Sequence, residues 1–235
     1  MVSHLKLTVL NDNEGAPGFK NSWGWSILLE SEEWQILFDA DSDPRVIEYN
    51  VKRLNISLEN LDFAVLSHYH GDHYGGFKYV GKIKPGLKIF APPKSIFFFK
   101  DWGLTLIPID KPQRIAKDVW STGAFGWIKE HAIGVKVDEV GLVVVVGCSH
   151  PGVDKLALKA KEISGEDIYM TIGGYHSPSK KALDNLALLS KYICPAHCSG
   201  SSAKNYVKSK YPEKFCHVRT GMRIEVDKKG LRIEY

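Results

Sequence analysis

Residues 66–76 read LSHYHGDHYGG and place His68, His70, Asp72 and His73 within one short stretch. Neutral imidazoles and a carboxylate are donors that suit zinc, iron or manganese, at about 2.0–2.2 Å for zinc. His68 and His70, two apart in an extended turn, can point the same way and hold one ion, while Asp72 and His73 face a second. Two ions about 3.5–4 Å apart would hold a bridging water, lower its pKa and clamp a scissile ester or phosphate oxygen. The chemistry in view is metal-assisted bond cleavage, with Asp72 also a candidate proton acceptor. A lone histidine is ordinarily a hydrogen-bonded core or surface residue, and that is the reading for His4, His131 and His217. The dense cluster at 68–73 calls for more than that.

A metal cage needs further ligands. Apolar segments end in histidine at VLSH, VVGCSH, TIGGYH and CPAH, which adds His150, His176 and His197 to His68. If these segments are parallel neighbours, the four histidines gather along one sheet edge, where active sites of open α/β sheets lie. Cys194 and Cys198 flank His197 and hint at zinc, although buried free thiols are the commoner use of cysteine.

The elements that must position these residues follow from patterning. Strands are predicted over 5–10, 25–30 and 34–39, then a helix in DSDPRVIEYNVKRLN with Pro44 near its start. DFAVLSH is a buried strand running into the histidine cluster, and Gly75 and Gly76 lead towards a short helix. Residues 85–126 are turn-rich and aromatic; such aromatics usually pack on a core, and a segment of this length would also suit a loop folding over a pocket. From GLVVVVGCSH onwards strand and helix alternate: PGVDKLALKAKEIS, DIYMTIGGYH, PSKKALDNLALLS, KYICPAHCSG and SSAKNYVKSKY, then terminal strands over 223–226 and 231–234. Strand-rich first and alternating later predicts sheets covered by helices in an α/β protein.

Composition bounds the answer. The 235 residues are 44% hydrophobic and 25% charged, enough for a substantial core in one domain spanning 1–235. The net charge of +4 is too mild to suggest a nucleic-acid partner. The longest purely apolar run, residues 142–146, is far short of the roughly 20 needed to span a bilayer. The amino-terminal stretch lacks the apolar core of a signal peptide, and the cysteines do not resemble a secreted framework, so a soluble cytoplasmic protein is expected.

SHYHGDH, following the apolar LDFAVL, resembles the HxHxDH signature of the metallo-β-lactamase superfamily. The resemblance implies a four-layer αββα sandwich of two pseudo-repeated halves, with metals at one end between the sheets. GWSILLE, ILFDADSDP, STGAFG, GLVVVVGCSHPG, TIGGYH and PAHCSG extend it over nearly the whole chain. In that order they resemble the group of metal-dependent hydrolases that includes archaeal dihydropterin-ribofuranosylaminobenzene-phosphate synthases. By position, the resemblance implies one ion on His68 and His70 and another on Asp72 and His73. His150 and His197 are implied as later ligands, with His176 a ligand or a donor to substrate. Asp39, in LFDAD, is implied to orient a ligand histidine through its other ring nitrogen. One departure stands out. Where many members carry a bridging aspartate, this chain reads GCSH. His150 or Cys148 stands in, or the two ions are held unequally, or one alone is held tightly. His131 lies near where many members place a ligand, which would leave His150 as the substitute bridge.

Ser199 and Ser201 precede a helix whose first amides attract anions, and Lys204 and Lys208 share one of its faces. A phosphate could sit there, beside the metals. The expected function is a hydrolase that uses one or two divalent ions, zinc first and iron or manganese next, on a small anionic substrate. That substrate is a phosphorylated or ester-type metabolite, and neither nucleic acid nor membrane is an expected partner. The alternatives are a synthase-like transferase forming the dihydropterin-ribofuranosylaminobenzene bond, and a binding module that keeps metal without turnover.

Overall fold

A computed structural model describes residues 1–94 and 98–235. The first half lays down β1 (His4–Asn11), β2 (Ser26–Glu30), β3 (Gln35–Phe38), α1 (Pro44–Arg53), β4 (Phe63–Val65), α2 (Gly71–Tyr74) and α3 (Phe77–Ile83). It continues with β5 (Lys88–Ala91), α4 (Phe98–Asp101) and β6 (Thr105–Pro108). The second half supplies β7 (Gln113–Ala116), β8 (Val119–Ser121), β9 (Ile133–Val137), β10 (Gly141–Val146), α5 (Val153–Ser164), β11 (Ile168–Gly174), α6 (Lys180–Leu189) and β12 (Ser190–Ala196). A 3₁₀ turn, His197–Ser199, leads into α7 (Gly200–Lys210), and β13 (Arg223–Asp227) and β14 (Gly230–Glu234) close the chain.

The strands form two sheets, in the orders β14-β13-β1-β2-β3-β4-β5-β6 and β12-β11-β10-β9-β8-β7. Each half begins antiparallel and turns parallel: β3 to β6 run parallel in the first sheet, and β10 to β12 in the second. The period-two pattern shows why the strands read as continuous apolar runs. Val143 and Val145 face the core between the sheets, while Leu142, Val144 and Val146 face the helices outside. Ile36 and Phe38 face inward in the same way, and Leu37 faces outward. A strand buried on both faces has no polar side to show. The inner core is one cluster running from Val2 to Val226; helices α1, α3 and α4 cover the first sheet, and α5, α6 and α7 the second. The layers are therefore αββα.

Local signals explain the helix ends. Asp43 caps α1 by accepting from the Arg45 amide, Pro44 opens the helix, and Val46, Ile47 and Val51 are its buried stripe. Ser179 caps α6 through the Ala182 amide, and Gly165 ends α5 in a left-handed conformation.

Sequence patterning missed β5 to β9, because residues 85–126 read as turns and aromatics and β9 showed no clear signal. These strands are short, and β6 and β7 lie at sheet edges with half-exposed side chains. An edge strand does not need the strict alternation that makes a central strand readable, and Pro108 at the end of β6 is tolerated there. Within the aromatic segment, residues 98–102 pack on the core rather than closing over a pocket. Phe99 is fully buried and, with Phe98 and Trp102, contacts Tyr69, Tyr74 and Phe77 on the outer face of the first sheet. Phe97 lies outside the described residues. The four histidine-bearing strands are not neighbours in one sheet either. β10, β11 and β12 are adjacent, but β4, which leads to His68, belongs to the opposite sheet. Among the described residues no helix is long and apolar enough to cross a membrane.

Candidate metal centre

The chain leaves the ends of β4, β10, β11 and β12 in loops that meet between the two sheets. The His68 ring lies 4.7 Å from that of His150 and 4.2 Å from that of His73, which brings the two halves of the molecule together. The backbone there is strained. Asp39, Ser149, His176 and His197, each just past a strand, are non-glycine residues at φ between 45° and 64°. Such conformations cost about 1–3 kcal/mol each and persist where the surroundings over-determine them. Gly147 allows a close approach between the two halves, since a Cβ there would overlap the Ser67 hydroxyl and crowd Glu130.

Four histidines have Nδ1 held by a neighbour. His73 Nδ1 lies 2.7 Å from Asp39 Oδ2, and its Nε2 is 3.1 Å from Cys148 Sγ. His68 Nδ1 is 2.9 Å from the Ser67 hydroxyl, and its Nε2 is 3.0 Å from His70 Nδ1. His150 Nδ1 is 2.8 Å from Glu130 Oε2. His197 Nδ1 is 3.0 Å from Asn13 Oδ1, and its Nε2 is buried without a hydrogen-bond partner. Asp72 Oδ2 lies 3.3 Å from that nitrogen and 3.8 Å from His73 Nε2.

The buried His197 Nε2 makes no hydrogen bond of good geometry and faces the Asp72 carboxylate, an arrangement that a cation between them would satisfy. Donor atoms of Asp72, His73, Cys148 and His197 lie within 4.8 Å of one another, and so do those of His68, Cys148 and His150. Ligands about 2.0–2.3 Å from a tetrahedral ion are themselves roughly 3.5 Å apart, so this chemistry and spacing fit divalent cations.

Electrostatics divide the rings: burial acts to lower His150 and His197, but the Glu130 carboxylate beside the first and the Asp72 carboxylate beside the second more than reverse this and raise both, so a cation there would displace a proton. Burial, with His197 nearby, pushes His73 down to about 3, so its ring is neutral and Nε2 keeps its lone pair. Burial, with His73 beside it, likewise pushes His68 well below the usual imidazole range. Burial pushes Asp72 up, but the His197 and His73 rings more than reverse this and leave it ionised. The adjacent Cys198 and burial push the Cys148 thiol up, so without a cation its sulfur is protonated.

The predicted residues sort as follows. His68, Asp72, His73, His150 and His197 converge on this centre, and His70 reaches it through His68. Asp39 sits behind His73 in the orienting position, also accepting from the Ser67 amide and hydroxyl at 2.7 Å each. His176 is exposed at the rim. Its ring is 4.4 Å from that of His150, and it groups with Cys148 and Cys198 rather than with the other histidines. His131 has no free nitrogen: Nδ1 is 2.8 Å from the Ser121 hydroxyl and Nε2 2.9 Å from the Leu66 carbonyl. Ser199 faces the main chain, its hydroxyl donating to the Ala196 carbonyl and accepting from the Tyr175 amide. Ser201 and Lys204 line a cleft of about 460 Å³ with Lys208, His217 and Tyr235, and there Lys204 pairs with Glu14 at 3.1 Å.

Other residues gave no sequence signal. Glu130 is fully buried and accepts from the amides of Cys148, Ser149 and His150 as well as from His150 Nδ1. Burial pushes this carboxyl up, yet the His150 hydrogen bond, the nearby His68 and the amides hold it down at about 2. Trp23 donates its indole N–H to Asp72 Oδ2 at 3.1 Å, and Asp12 accepts from the His197 amide. A carboxylate at position 130 and an NDN at 11–13 are ordinary in sequence. Their partners are 18–20 and 184–185 residues away. Of the cysteines, Cys194 is a buried core residue as expected, whereas Cys198 borders the centre.

Comparison with known proteins agrees with this architecture. The profile of the metallo-beta-lactamase superfamily matches residues 24–197. The 7,8-dihydropterin-6-methyl-4-(beta-D-ribofuranosyl)-aminobenzene-5'-phosphate synthase of Methanocaldococcus jannaschii is 28% identical, over 95% of this chain and 97% of its own. A crystal structure of a metal-dependent hydrolase of the beta-lactamase superfamily superposes with a TM-score of 0.81 at 24% identity, covering 95% of this chain and 99% of that one. A diphosphatase of the PhnP family shares the fold at a TM-score of 0.58 and 15% identity, over 96% and 98% of the two chains. With the matched profile spanning most of the sandwich and its histidine cluster, the chain belongs to the metallo-beta-lactamase superfamily.

Proposed function

We propose that this protein is a metal-dependent hydrolase acting on a small anionic metabolite with a phosphoryl or ester group. The observation that carries the reading is the set of histidines each held on Nδ1 by a neighbour, with donor atoms gathered around Cys148 and with the Nε2 atoms of His73 and His197 near Asp72. Divalent ions held there, zinc first and iron or manganese next, would supply Lewis acidity toward the scissile group and an activated water. The chain's own contribution is positional. Asp39, Ser67, Glu130 and Asn13 fix the four rings, so no ligand has to reorganise when substrate arrives. Asp72, ionised and steadied by the Trp23 indole, is placed to accept a proton from the attacking water. The cleft lined by Ser201, Lys204 and Lys208 also contains Glu14, next in sequence to the Asn13 that holds His197, and its lysines would offer positive charge to an anionic tail of the substrate.

A second reading is favoured by the similarity to the Methanocaldococcus jannaschii synthase, which extends over nearly all of both chains. In it, the same centre would orient a pterin diphosphate during transfer to an aminobenzene ribofuranosyl phosphate. The deciding experiment measures metal content and turnover of wild type and His68→Ala on phosphomonoesters, phosphodiesters and lactones, alongside product analysis with the two synthase substrates. Hydrolysis that depends on His68 supports the hydrolase. A coupled pterin product without hydrolysis overturns it in favour of the transferase. Wild-type protein that takes up no metal rejects both.

A further inference from the structure

Cys148 is the one residue common to every group of potential metal donors found among the described residues. Its sulfur lies within 4.8 Å of donor atoms of Asp72, His73 and His197 on one side and of His68 and His150 on the other. The nearby carboxylates are already committed. Asp39 is taken up by Ser67 and His73, and Glu130 by His150 and three amides. Asp72 groups with His73 and His197 but not with the His68–His150 pair. No carboxylate in this set is thus shared by both half-sites, and the sulfur is. Cys198 is the other thiol within reach, but its S–H points to the Cys148 carbonyl at 3.7 Å and its sulfur accepts the His176 amide at 3.3 Å. Among the described residues the hydrogen-bond contact of the Cys148 sulfur to a ring nitrogen is with His73 Nε2 at 3.1 Å, itself a candidate ligand.

We propose that the Cys148 sulfur is the ligand shared by two divalent ions, one on Asp72, His73 and His197 and the other on His68, His70 and His150. This rests on the reading of the cluster as a metal centre and deepens it. On binding, the S–H bond breaks, sulfur–metal bonds form in its place, and the proton passes to solvent. A shared thiolate is a soft donor, so the centre selects zinc, iron or cobalt and discriminates against magnesium and calcium.

The test is titration of metal-free protein with cobalt(II), followed by its near-ultraviolet sulfur-to-cobalt charge-transfer absorption. Wild type is expected to show the band, with intensity growing over two equivalents. Cys198→Ser is expected to keep the band, and Cys148→Ser to lose it. X-ray absorption of the wild-type zinc form is expected to show sulfur at about 2.3 Å, a measurement that does not depend on whether a variant folds. The proposal is overturned if wild type binds cobalt without the band, if growth stops after the first equivalent, or if Cys148→Ser keeps the band. Failure of wild type to bind cobalt or zinc at all would instead remove the metal-centre reading beneath it.

Discussion

Asp39 Oδ2 sits 2.7 Å from His73 Nδ1, both side chains fully buried, with His73 Nε2 directed at Cys148. A carboxylate at the end of β3 thereby sets the tautomer of a ring on α2 and leaves the inward nitrogen free. Asp39→Asn keeps the volume but weakens that control. Metal affinity is expected to fall about 10- to 100-fold, read by titration against a competing chelator. Unchanged affinity would mean that Asp39 is purely structural.

Glu130 holds the turn that presents both Cys148 and His150. Glu130→Ala strands two buried amides and a part-buried third, a buried one being worth about 1–3 kcal/mol when left unpaired. Urea unfolding of the metal-free form should show a loss of roughly 3 kcal/mol or more. A surface-like loss below about 0.5 kcal/mol would contradict the bonding described here.

His131 predicts a pH dependence away from the metal ligands. Burial lowers its pKa from 6.5 to about 4, so the ring stays neutral in the folded chain after it has charged in the unfolded one. The stability it contributes is complete above pH 6.5 and is lost as pH falls towards 4, amounting to about 3 kcal/mol. Metal-free wild type should lose that much more than His131→Gln over this interval in denaturant titrations. Equal slopes for the two proteins would show that position 131 does not carry the linkage.

Lys204 and Glu14 make opposite predictions for one cleft. Lys204→Ala should raise KM for a phosphorylated substrate about tenfold, the worth of one charged hydrogen bond. Glu14→Gln, which releases Lys204 from its partner, should lower KM instead. Metal content should be unchanged in both. If neither KM moves, substrate binds elsewhere on the rim.

Much of the site was legible because its ligands announce themselves. The crowding of His68, His70, Asp72 and His73 has few uses in a core, and runs such as VVVV mark strands buried on both faces. The strands β5 to β9 were not legible, since edge strands such as β6 and β7 lack the burial that enforces alternation. Glu130, Asn13 and Trp23 were equally silent. A buried carboxylate or an indole donor looks like any other until its partner, up to 184 residues away, is brought beside it.

Residue chemistry along the chain determined which donors exist, that they follow apolar strands, and that no aspartate stands in the GCSH position. Tertiary structure decided how they combine. It placed His68 past a strand of one sheet and His150, His176 and His197 past strands of the other, withdrew His131 behind two hydrogen bonds, and grouped Cys148 with donors of both half-sites. Local spacing fixes the direction of a side chain only within its own turn. Which ring nitrogens face the same few ångströms of space depends on how two sheets pack face to face, and that is set by the whole core.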